Sequence, residues 1–206
     1  MNAWLNTTDA ALVIIDMQND FCHEEGASAK SGIADIAAFQ ACVPAIETLI
    51  SSARAAGVPV VFVYMTLDGT TKSEAWLNKF GTNTSIIEKG SWGAEFYKLF
   101  PQEGDAVVEK HRFSAFIGTD LDLILRSMKR KSIVLTGVLT NVCVESTARD
   151  GFMLDYNVTM VADAVAGSSP AAHQATLDNF AAVFGQALKT DEVSSFWRSA
   201  ALPLAR

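Results

Sequence analysis

An aspartate, a lysine and a cysteine each stand where a strand-like run stops. Asp16 directly follows ALVII, Lys110 follows Val107, Val108 and Glu109, and Cys143 follows LTGVLTNV. A thiol is a strong nucleophile once deprotonated, a carboxylate can take its proton, and an ammonium can steady the charges that result. Each residue also has a plainer use. Asp16 can cap a turn, Lys110 can hold a carboxylate structurally or face solvent, and Cys143 can be an inert core thiol. They lie far apart in sequence, so only a fold that gathers chain ends can make them one site.

The surrounding pattern predicts such a fold. Apolar, strand-like runs at Ala11–Ile15, Val58–Tyr64, Asp105–Glu109, Ser132–Thr136 and Val158–Val161, with a short sixth at Phe184–Leu188, alternate with helical stretches. Val43, Ile46, Leu49 and Ile50 form one helical stripe, and Leu121, Ile124, Leu125 and Met128 another. Further helices are expected over Asn141 to about Asp155, Pro170 to about Ala182, and Thr190–Trp197. The alternation implies an α/β fold, a three-layer α/β/α sandwich around a six-stranded parallel sheet. Ligands of such sheets sit beyond the carboxyl ends of the strands, where strand order reverses. Asp16, Lys110 and Cys143 all belong to that end.

At 206 residues, 50% apolar and 19% charged, the chain reads as a single domain spanning 1–206, not a disordered or coiled-coil protein. Sixteen basic against 23 acidic residues give a net charge of −7, which argues against nucleic acid or an anionic membrane as partner. The longest apolar stretches, such as Val58–Met65, are strand-length, so no membrane span is expected. The N-terminus lacks the basic and long apolar segments of a secretory signal. Three scattered cysteines, Cys22, Cys42 and Cys143, do not make a disulfide scaffold, and a cytoplasmic location is expected.

Residues 66–104 form an excursion too long for an ordinary connection. It carries Trp76, Phe80, Trp92, Phe96, Tyr97 and Phe100, with short helices expected near Ser73–Lys79 and Ala94–Leu99. Lid and subunit contact are its two readings, and self-association as a dimer or tetramer is expected. Thr82, Asn83 and Thr84 read as a capped turn, or as groups that orient a polar substrate.

Cys143 has the most favourable setting of the three thiols. Thr140 or Asn141 can cap the following helix, putting Cys143 in its first turn, where the helix field favours a thiolate. Thr147 and Gly151 follow at spacings of four, so that helix face can approach the sheet closely.

Taken together, ALVIIDMQNDF at 11–21, VVEKHRFSAF at 107–116 and LTGVLTNVCVESTARDG at 135–151 resemble the isochorismatase-like cysteine hydrolase superfamily, in its amidohydrolase branch. That branch contains N-carbamoylsarcosine, ureidoacrylate and biuret amidohydrolases. The resemblance implies a catalytic Asp16, Lys110 and Cys143, an oxyanion hole from the backbone N–H groups of Leu139 and Cys143, and a cis peptide joining Val138 to Leu139. It implies a cysteine-dependent cleavage of a C–N bond in a small carboxamide or carbamoyl compound through a thioester, with no cofactor.

Pocket candidates are Phe113, Phe116 and Trp92 for an apolar wall and Asn19, Arg112 and Asn141 for polar contacts, each with a structural use as its alternative. No metal is expected. The segment after the second strand has Asp68 but no histidine, and His23, His111 and His173 lack ligand spacing. Nicotinamidase-like and isochorismatase-like hydrolases, and a retired binding protein on the same scaffold, are the alternatives.

Overall fold

Six runs rich in valine, isoleucine and leucine pair into one all-parallel sheet. The computed structural model describes residues 2–32, 35–81 and 85–201; Thr82, Asn83 and Thr84 lie outside them. The strands are β1 (Ala10–Ile15), β2 (Val60–Met65), β3 (Ala106–Lys110), β4 (Ser132–Val138), β5 (Asn157–Ala166) and β6 (Gln186–Leu188), in the order β3-β2-β1-β4-β5-β6. The order reverses between β1 and β4, which run side by side from Ala10↔Ser132 to Ile15↔Gly137.

Helices cover both faces, as buried parallel strands require. Alternate β1 residues point to opposite sides. Leu12 and Ile14 join Phe39, Ile46, Leu49 and Trp197, whereas Val13 and Ile15 join Leu121, Leu125, Val144 and Phe180. The first face is covered by α3 (Ile36–Ala41), α4 (Val43–Ala55) and α9 (Thr190–Ala201). The second is covered by α6 (Leu121–Ser127), α7 (Glu145–Met153) and α8 (Pro170–Val183). Short helices α1 (Asn19–Cys22) and α2 (Ala27–Ser31) follow β1, and α5 (Glu74–Phe80) opens the excursion.

Three expectations need correction. Ala94–Leu99 is not a helix; a 3-10 turn, Trp92–Ala94, leads into extended chain in which Phe96 bridges Gln18 and the Tyr97 N–H donates to the Met17 carbonyl at 2.8 Å. Hydrogen bonds to the chain after β1 decided the conformation. Neither Thr140 nor Asn141 caps the helix through its side chain, because the chain after Leu139 enters a π-helical turn, Thr140–Val144, before α7. Finally, Ile36–Ala55 is a helical run of 20 residues with mean hydropathy 1.4, long and apolar enough by length and composition to cross a membrane. Here its apolar stripe (Phe39, Val43, Ile46, Leu49, Ile50, Ala53) packs into the core.

Candidate active site

β1 ends in a sharp change of direction. Asp16 has φ +53°, a left-handed conformation that few non-glycine residues adopt and that aspartate tolerates better than most. Its N–H still reaches the Val63 carbonyl at 3.0 Å, and its own carbonyl accepts the Gln18 N–H at 2.8 Å. The carboxylate is thereby fixed at the end of the strand. On the other side of the reversal, Gly137 has φ +105°, and a Cβ there would lie 2.0 Å from the Ile15 carbonyl oxygen. Only glycine lets β4 come this close to the residue before Asp16.

Lys110 comes from two strands away. The register sets it level with Met65, two residues beyond Val63, which pairs with Ile15. Its long side chain spans the end of β2, and Nζ lies 2.8 Å from Asp16 Oδ2, with both side chains fully buried. The same ammonium donates to the Arg112 carbonyl at 3.1 Å. Cys143 sits in the π-helical turn and is buried, with its thiol close enough to Asp16 and Lys110 to interact electrostatically with both. The three residues therefore converge at the strand-order reversal.

Among the described residues neither Asp16 carboxylate oxygen has a hydrogen-bond partner of good geometry, and the Lys110 ammonium is its ionic neighbour. Burial pushes its carboxyl above the ordinary carboxylate value, against the pull of Lys110. Burial would strip the proton from Lys110, yet the Asp16 and Cys143 charges more than offset this and hold it as an ammonium. Burial also drives the Cys143 thiol upward; Lys110 opposes this and Asp16 adds to it. The sequence expected the helix field to favour a thiolate; in the buried cluster burial acts on the sulfur in the opposite direction.

The peptide joining Val138 to Leu139 is cis. The Leu139 carbonyl accepts the N–H groups of Val142 and Val144 at 3.0 and 3.1 Å, whereas neither the Leu139 nor the Cys143 N–H donates to backbone outside the regular elements. Thr147, one turn beyond Cys143, donates to the Cys143 carbonyl at 2.7 Å and accepts the Ala115 N–H at 3.0 Å. It links the cysteine helix to the chain that follows Lys110.

The pocket candidates do not assemble into one wall. Phe113 packs on Trp76 and Phe80, with ring centroids 5.4 and 6.3 Å away. Phe116 is core instead, stacked on Tyr156 at 5.6 Å and beside Gly151, where a Cβ would lie 3.2 Å from its ring. Trp92 is half-exposed and packs edge-on against His23. Asn19 donates to the Trp92 carbonyl at 2.9 Å, Arg112 donates to the Thr71 and His111 carbonyls, and Asn141 exchanges hydrogen bonds with Ser168. These polar groups brace loops.

The MQND run had an unrecognised task. Gln18 is fully buried and satisfied, donating to the Met65 and Ala94 carbonyls and accepting the Met65 N–H at 2.8–2.9 Å. Asp20 accepts the Ala27 and Ile87 N–H groups, and a Cβ on Gly93 would collide with its carboxylate. Gln18, Asn19 and Asp20 thus pin residues 87–95 of the excursion across the end of β1. Consecutive polar residues after a buried strand, each needing partners, were the available signal. Among the described residues no group of three or more His, Cys, Asp or Glu is placed to hold a metal ion, and Asp68 instead anchors a turn at Thr70 and Thr71.

A parallel sheet with an acid, a cation and a thiol at its order reversal places the chain in a known class. It belongs to the isochorismatase domain family, whose pattern matches residues 10–192. Ureidoacrylate amidohydrolase RutB of Serratia proteamaculans is 36% identical over 215 aligned positions, covering 96% of this chain and 85% of that protein. A cysteine hydrolase from Pseudomonas syringae pv. phaseolicola 1448A superimposes with a TM-score of 0.86 at 29% identity, over 95% of each chain. N-carbamoylsarcosine amidase from Thermoplasma acidophilum superimposes with a TM-score of 0.73 at 30% identity, over 89% of this chain and 97% of that one.

Proposed function

We propose that Cys143 is the nucleophile of an enzyme that hydrolyses the C–N bond of a small linear ureido compound, an N-carbamoyl acid such as ureidoacrylate, through a thioester. At the level of class, the chain is an amidohydrolase of the isochorismatase family, acting on C–N bonds of linear amides. The observation that supports the finer reading is the buried Lys110–Asp16 pair at 2.8 Å, with the buried Cys143 thiol within electrostatic reach of both.

In this mechanism Asp16 takes the thiol proton as sulfur bonds to the carbonyl carbon. Charge moves to the carbonyl oxygen, where the Leu139 and Cys143 N–H groups receive it; one such donor contributes about 3–4 kcal/mol in related chemistry. The C–N bond breaks and the Asp16 proton goes to the leaving nitrogen. Water then adds to the carbamoyl thioester, giving its proton to Asp16; the C–S bond breaks and sulfur regains that proton. Lys110 keeps its charge throughout. Three unpaired cysteines fit the reducing cytoplasm we assign to the protein, and exposed Phe80, Trp92 and Phe100 fit self-association, which sedimentation tests.

The test is product release from ureidoacrylate, N-carbamoylsarcosine, biuret and nicotinamide, with Cys143→Ser as control. A linear ureido compound should turn over, and the variant should lose about 1,000-fold or more in kcat while staying folded. A Cys143→Ser protein with undiminished turnover would remove the nucleophile assignment.

A further inference from the structure

We infer that His173 is a positioning residue, holding the nucleophile turn in shape from outside the Asp16–Lys110–Cys143 cluster. Thr140, the first residue of the cysteine turn, is fully buried, and its hydroxyl lies 2.9 Å from His173 Nδ1 in the first turn of α8. The next residue, Asn141, accepts the Ser168 N–H at 2.9 Å and donates to the Ser168 hydroxyl at 3.0 Å. Two successive residues of the turn are thus tied, one to the first turn of α8 and the other to the connection that leads into it.

Gly167 shows how close that approach is. A Cβ there would lie 2.9 Å from Asn141 Oδ1 and 3.0 Å from His173 Cβ. The absent side chain lets the β5–α8 connection wedge between the two groups that grip the turn. Leu139 and Cys143, whose N–H groups must converge on one oxygen, flank the residues being gripped. Donors of this kind work only when held in place before reaction, so a displaced Thr140 costs rate more than binding. His173 also faces a groove of about 290 Å3 between α3 and the β5–α8 connection, which none of Asp16, Lys110 or Cys143 lines. It touches no reacting atom and acts through Thr140 alone.

This inference rests on the proposed role of the Leu139 and Cys143 amides, and the experiment separates the two. In the full-length enzyme, steady-state kinetics would be measured for His173→Ala, His173→Asn, Thr140→Val, Thr140→Ser and the double variant His173→Ala/Thr140→Val, beside Cys143→Ser. Loss of the contact should lower kcat by about 10–100-fold with KM within about twofold, the pattern of an interaction used in the transition state. His173→Asn and Thr140→Ser, which retain a hydrogen-bonding group, should recover most of the rate, and the double variant should be no slower than the worse single one. Wild-type kcat in His173→Ala and Thr140→Val, or additive losses in the double variant, would overturn the inference. So would a rate loss in His173→Ala that His173→Asn does not restore while both stay folded. Undiminished turnover by Cys143→Ser would strike instead at the nucleophile assignment.

Discussion

The Lys110–Asp16 pair sets the electrostatics on which the cysteine depends. Two opposite charges with no exposure hold each other in place, and removing one leaves the other uncompensated. The ammonium favours the ionised carboxyl, and only the ionised carboxyl can accept the thiol proton. Lys110→Met should therefore move the acid limb of kcat/KM to higher pH, because Asp16 would hold its proton further up the scale. An acid limb at the wild-type position would show that Asp16 is not the group titrating there. Cysteine labelling is a second test. With Cys22, Cys42 and Cys143 all buried and Cys42 pushed up to about 12 by burial, iodoacetamide at neutral pH should modify the resting enzyme slowly and the unfolded chain fast. Fast labelling of native Cys143 would instead mean a thiolate at rest. The positions of these residues were legible in the sequence, since each stands at a strand end. The depth at which they are buried was not, because no sequence pattern reports how far a side chain lies from solvent.

The elements that hold the site have their own signatures. Gly137→Ala would drive a Cβ into the Ile15 carbonyl at a backbone angle alanine resists, and should lower stability by about 3–5 kcal/mol in denaturant titration. A wild-type midpoint would show that the β1–β4 approach relaxes freely. Gln18→Leu would leave the Met65 and Ala94 carbonyls and the Met65 N–H unpaired, at about 2–4 kcal/mol. Hydrogen exchange should then open at Tyr97 before the amides of β4. Protection lost equally in both places would mean that the excursion and the sheet open together. Strand centres were readable because valine and isoleucine runs bounded by turns have few other uses. The extended path of residues 95–97 was not, since it is set by Gln18 and Met17, far away in sequence. Helix α3 escaped notice as well; its alanines show little periodicity, and Phe39 alone anchors it fully in the core.

For the whole molecule, the strand order divides the chain into two sequence halves. The first builds β1, β2 and β3, the second β4, β5 and β6, and among the strands the two sets pair only between β1 and β4. Asp16 and Lys110 come from the first half and Cys143 from the second. The proposed catalytic cluster can form only after strands more than a hundred residues apart have zipped together, a slow kind of pairing. Turnover should consequently return later in refolding than helical circular dichroism. Two polypeptides divided in the exposed turn near Gly118 should each be inert, and mixing them should restore hydrolysis in proportion to how completely that central seam closes.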